Sequence, residues 1–126
     1  MIMGYYNHKT IVVTGEGEHL DNAYKKAKEL FSVDDEGNNV NMVSDMVGTG
    51  INGYQSFFIS PCGSKVGWEM DNYFNKKYDE MTEYLNSEDC KFEDGSSFLS
   101  WIFVEYGDFG AKILKTNCTN LEVRDE

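Results

Sequence analysis

The spacing of apolar residues along this chain changes period several times, and each change predicts an element. Residues 9–14 place Ile11, Val12 and Val13 in a row, the β-branched composition of a strand covered on both faces or nearly so. Gly15-Glu16-Gly17-Glu18 breaks the run, and Leu20, Ala23, Ala27, Leu30 and Phe31 then recur at helical spacing. Glu18 and Asp21 fall in the first turn of that helix, where the macrodipole favours negative charge. Residues 40–47, with Val40, Met42, Val43, Met46 and Val47, predict a second strand, and Gly48, Gly50 and Gly53 a mobile connection to a third. In that third strand Gln55, Phe57 and Ile59 alternate with Tyr54, Ser56, Phe58 and Ser60, so one face is apolar and the other mixed.

A tight turn, Pro61-Cys62-Gly63-Ser64, follows. Pro61 presets φ and Gly63 suits the last position, so the loop up to Trp68 is expected to be rigid, with Trp68 plugging the core. Asp71 or Asn72, both good N-cap types, opens a second helix in which Phe74, Tyr78, Met81 and Leu85 form one stripe. Residues 98–106 are the most apolar segment and belong in the middle of a sheet, with Leu99, Trp101 and Phe103 on one side and Phe98, Ile102, Val104 and Tyr106 on the other. Gly107-Asp108-Phe109-Gly110 turns the chain into a last strand over 111–117, and residues 119–126 are expected to fray. The order strand, helix, strand, strand, helix, strand, strand predicts a single α+β domain. Its sheet is antiparallel-rich, of about five strands with both helices on one face, ferredoxin-like with an added hairpin strand.

Charge narrows the function. Acidic residues outnumber basic ones 22 to 11, the net charge is -11, and Arg124 is the sole arginine. Such a chain is repelled by nucleic acid and by anionic lipid, because phosphate neutralisation needs clustered Lys and Arg. Basic proteins remain as partners, and self-association stays open. Cys62, Cys90 and Cys118 are odd in number and widely spaced, which fits a reducing cytosol and no zinc site. The N-terminus lacks an apolar leader and the longest aliphatic or aromatic run is 101–104, so a cytoplasmic protein is expected.

The motifs that invite chemistry do not complete themselves. Gly15-Glu16-Gly17 puts a carboxylate where a dinucleotide fingerprint needs to approach phosphate, and it has no third glycine in place. Asp34-Asp35-Glu36-Gly37-Asn38-Asn39 offers oxygen ligands, but Val43 stands where an EF-hand needs its closing glutamate, so a solvated loop and no metal are expected. His8, His19 and Cys62 lie in no catalytic spacing, and Glu105 with Asp108 reads as an ordinary strand end and turn. No catalytic residues and no cofactor are assigned.

Two features stand out instead. Asp79, Glu80, Glu83, Glu88, Asp89, Glu93 and Asp94 form an acid-rich block holding one lysine, Lys91. Carboxylates three or four apart on a helix stand about 5–6 Å from one another, loosely like phosphates along a strand of nucleic acid. Three of them stand late in the second helix, where the dipole disfavours them, so local helix stability does not explain their placement. The alternative feature is a ligand pocket walled by Tyr54, Lys65, Trp68 and Tyr106, formed if the loops around residues 60–68 and 106–109 meet.

Asn52-Gly53-Tyr54, Ser56-Phe57-Phe58-Ile59, Pro61, Gly63-Ser64-Lys65 and Gly67-Trp68 resemble a segment shared by a group of small bacteriophage accessory proteins. The likeness spans residues 52–68, with a looser echo in 101–110, and carries no catalytic residues across. It implies an accessory viral protein made in a bacterial cytoplasm and acting on host enzymes or defence systems. Together these readings predict a non-enzymatic protein that binds and inhibits or modulates a host protein, a defence or nucleic-acid-binding factor, through the acidic block. The alternative is a small-molecule binder that sequesters a nucleotide-type immune signal, and a small hydrolase or transferase comes third.

Overall fold

β-branched and aromatic residues at alternate positions build four strands, β1 (Asn7–Gly15), β2 (Gln55–Ile59), β3 (Leu99–Gly107) and β4 (Gly110–Thr116). All pairings are antiparallel, in the order β2-β1-β3-β4. The computed structural model describes residues 5–93, 97 and 99–118, apart from the side chain of Glu88. Phe98 and the tail expected to fray lie outside the described residues.

The register assembles the core. Ile11 stands between Ile59 and Phe103, and Val13 between Phe57 and Trp101, so odd-numbered positions of β1, β2 and β3 share one apolar face. Two helices, α1 (Gly17–Leu30) and α2 (Glu69–Leu85), cover that face. The Tyr24 ring of α1 meets Phe57 at 5.1 Å, and the Tyr78 ring of α2 meets Phe103 at 5.6 Å. Leu20, Ala23, Ala27 and Leu30 of α1 and Phe74, Tyr78, Met81 and Leu85 of α2 are all buried, as their helical spacing predicts. Each large apolar side chain taken fully from water contributes about 1.5–3 kcal/mol.

Three expectations are corrected. First, the sheet has four strands. Over residues 40–47 only Val43 and Val47 bridge to β2, at Ile59 and Ser56, so five residues on this edge oppose four on β2. The surplus residue is absorbed at Ser44, whose hydroxyl accepts the Phe58 amide at 2.9 Å in place of a ladder carbonyl. Second, β1 is covered on one face only, and Val12 turns to the open side. Third, α2 begins at Glu69, before the expected caps. Asp71 instead reaches back from the first turn, its Oδ2 accepting the Gly67 amide at 2.9 Å.

The β3–β4 hairpin turns at Asp108 and Phe109 and lies against the start of the chain. Tyr6 N–H donates to Asp108 Oδ2 and Asp108 N–H to the Tyr6 carbonyl, both at 2.9 Å. Gly107 is required there: its φ is +145°, and a Cβ would stand 2.5 Å from the Tyr6 oxygen. Among the described residues no helix is long and apolar enough to cross a membrane.

Candidate functional site

The acid-rich block is placed on the solvent side of α2 and past its end. Asp79, Glu80 and Glu83 are exposed and share one side of the helix, because residues three and four apart are neighbours there. The last turn carries no basic residue to offset the dipole. Asp89 and Glu93 are also exposed, beyond a turn in which Ser87 N–H donates to the Tyr84 carbonyl and Cys90 N–H to the Ser87 carbonyl. Asp94 and the Glu88 side chain lie outside the described residues.

Beside the helical trio runs a groove of about 380 Å³ between α2 and β4, lined by Thr82, Glu83, Asn86, Trp101, Lys115 and Thr116. Lys115 bridges to Asp79 at 3.5 Å across it. Both side chains are well solvated, so this pair contributes little to stability. Trp101 is buried, and its indole N–H has no partner among the described residues. A buried donor left unmade costs about 1–3 kcal/mol. Sequence reasoning placed Trp101 in the core and missed this donor, since the groove exists only where β4 lies against α2.

A second concavity forms where β2 ends. The loop over residues 60–68 is pinned at several points. Tyr78 donates from its hydroxyl to the Ser60 carbonyl at 3.1 Å, Ser60 N–H to the Met42 carbonyl at 2.7 Å, and Val66 N–H to the Tyr5 carbonyl at 2.8 Å. A chain of polar contacts ties the loop to β1: Lys9 Nζ donates to Asn75 Oδ1 at 2.7 Å, and Asn75 Nδ2 to Asp71 Oδ2 at 3.4 Å. The loop walls a cleft of about 700 Å³, lined among others by Tyr6, Lys65, Trp68 and Glu69, with Asp35 and Glu36 facing them from the loop after α1.

Only two of the four expected pocket residues reach this cleft. Lys65 Nζ sits 4.9 Å from the centre of the Trp68 ring, a cation–π contact. Trp68 is 59 % exposed and is no core plug, because it occupies the extended position just before α2. Tyr54 precedes β2 and is separated from the cleft by the length of that strand, and Tyr106 turns to the open face of the sheet.

Asp34 Oδ1 accepts the amides of Asn38 and Glu36, both at 2.9 Å. The Asn38 amide foremost holds the Asp34 carboxyl below the usual carboxylate range. Asp34, Asp35 and Glu36 bring oxygens within 4.8 Å of one another, but Asp34 already spends its own on the loop. Burial pushes the Cys62 thiol up, and the nearby Asp71 charge adds to the effect, so the neutral thiol prevails. The His8 ring lies between Tyr6 and Tyr106, at 6.2 and 5.5 Å, and His19 is in the first turn of α1, past the far end of β1. Glu105 pairs with Lys9 at 4.0 Å and Lys112 at 3.6 Å, and Asp108 holds the hairpin turn, which accounts for both carboxylates structurally.

The chain matches no protein-family model, no curated protein and no solved structure.

Proposed function

We propose that this chain is a non-enzymatic binding protein that docks a basic protein surface on the acidic side of α2. One observation carries the reading: exposed Asp79, Glu80 and Glu83 share one side of α2 beside a groove that Glu83 and Lys115 line. Lysine or arginine side chains of the partner meet the carboxylates. The likeness to phage accessory proteins supports a host protein in a bacterial cytoplasm as the target, a defence or nucleic-acid-binding factor, with inhibition or modulation as the outcome. His8 and Cys62 line one small cavity of about 10 Å³, too small to admit a substrate, and the neutral thiol there favours binding over nucleophilic catalysis. We read the sheet, with residues 42–47 counted as an edge strand, as ferredoxin-like with an added hairpin strand. The sequence of edge segment, β2, β1, β3 and β4 supports this.

Pull-down from bacterial lysate at low and high salt tests the function. A basic partner is retained at low salt, released at high salt, and lost on Glu80→Lys with Glu83→Lys. No partner, or one retained unchanged at high salt, overturns it. A second reading rests on the cleft at Trp68, which offers an aromatic wall to a small molecule. Asp35, Glu36 and Glu69 outnumber Lys65 there and disfavour a polyphosphate, so a ring system with little negative charge fits better than a nucleotide. Mass spectrometry of what the heated protein releases after exposure to infected-cell lysate checks this, and an empty extract removes it.

A further inference from the structure

On the side of the sheet that the helices leave open, the four strands present no charged residue, and Asp45 of the edge segment lines a concavity of about 370 Å³ at its margin with Val12, Phe58 and Tyr106. Pairing turns the even-numbered positions of β1, β2 and β3 to this side, together with Ala111, Ile113 and Thr116 of β4. None of them is Asp, Glu, Lys or Arg, in a chain of which 26 % is charged. The charges of these strands lie on the other side: Lys9, Glu105, Lys112 and Lys115. The open side is also raised by apolar groups, with Phe58 46 %, Tyr106 42 % and Ile113 59 % exposed around partly exposed Val12, Ile102 and Val104.

Several of its hydroxyls are already bonded within the sheet. Thr10 Oγ1 donates to the Ile59 carbonyl at 2.6 Å, Thr116 Oγ1 to the Trp101 carbonyl at 2.6 Å, and Thr14 and Ser56 share a bond of 2.7 Å. Covering Thr10 and Thr116 therefore leaves neither donor orphaned, which lowers the cost of drying those positions.

We infer that this face packs against the same face of a second copy of the chain, sheet on sheet about a twofold axis. Charge selects the occupant. A partner bearing lysines or carboxylates would bury them against these strands without counter-charge, whereas the strands themselves present none and so complement one another across a twofold axis. Two copies of net charge -11 also repel one another, and the four strands bring no carboxylate to the contact, with Asp45 left at its margin. β1 and β3 of nine residues, β4 of seven and β2 of five, at about 3.3 Å per residue and about 4.8 Å between strands, give roughly 480 Å² per copy. The pair thus covers roughly 950 Å², the size of a weak, concentration-dependent interface.

Salt distinguishes this inference from docking on α2. Screening weakens the repulsion between two acidic copies, so self-association tightens as salt rises, while a basic partner on α2 is released. The experiment is sedimentation equilibrium of the full chain from micromolar to submillimolar concentration, at low and high salt. A doubled mass is expected at the upper concentrations, reached earlier at high salt. It returns to the monomer mass in Phe58→Glu and in Ile113→Lys with unchanged circular dichroism, and persists in Glu83→Lys. A monomer mass under every condition, or a doubled mass that survives both face substitutions, overturns the inference.

Discussion

Phe57 and Phe58 are neighbours in the chain, yet Phe57 is 1 % exposed beneath the helices and Phe58 is 46 % exposed on the opposite side of the same sheet. The covered side combines a packed apolar centre with paired charges at its margin, where Lys9 and Glu105 meet. The open side has no helices, and its four strands present no charge. Exposure alone therefore does not draw charge to a surface in this chain: the carboxylates gather on α2 and the loops, and the strands of one broad face are kept free of them. That contrast is what the acidic composition conceals.

The largest expected effect separates the two phenylalanines. Phe57→Ala should cost about 3–5 kcal/mol by leaving a cavity under Tyr24, whereas Phe58→Ala should cost under about 1.5 kcal/mol in the monomer. Urea unfolding at low protein concentration measures both, and equal costs would erase the distinction between the faces.

Alkaline pH should then act on the covered side. Burial above all pushes the Tyr78 phenol up, and it raises the Cys62 and Cys90 thiols as well. Groups whose folded values are raised stabilise fully below their unfolded values and lose that stability as pH rises towards the folded ones. The urea midpoint should accordingly fall as pH climbs past about 8.5 for the thiols and about 10 for the phenol. Tyr78→Phe should flatten the steeper, upper part of that fall.

Smaller again is Glu105→Gln, which leaves Lys9 with Asn75 alone and should cost on the order of 1 kcal/mol. The least effect is expected at Asp34, whose folded value is depressed by the Asn38 and Glu36 amides. Its contribution is present above about pH 4 and lost as pH falls through the lower folded value. Hydrogen exchange at Asn38 should speed up under acid conditions and in Asp34→Ala, without a change in the sheet.

Much of this architecture was legible one residue at a time. The stripe Phe74, Tyr78, Met81 and Leu85 announces a helix facing a core, and Leu99, Trp101 and Phe103 announce an interior strand, because period and burial are linked through backbone geometry. The acidic side of α2 was equally readable at Asp79, Glu80 and Glu83. The pocket was not. Tyr54, Lys65, Trp68 and Tyr106 are close to the same motif-bearing stretch or its expected neighbour, but β2 and the sheet plane send them in three directions. Residues 40–47 had the composition of a strand, and one surplus residue at Ser44 reduced it to two bridges.

Local order thus follows from the chain's own spacing: where helices and strands run, which side of each is apolar, and where carboxylates cluster along α2. Those properties depend on contacts a few residues apart. The Ile11-Val12-Val13 run could not disclose that just one side of β1 would be covered, nor could Trp101 disclose an unspent donor beside α2. Both depend on which distant segments pack together, and a side chain's burial is set by those neighbours and not by the residues beside it in the chain.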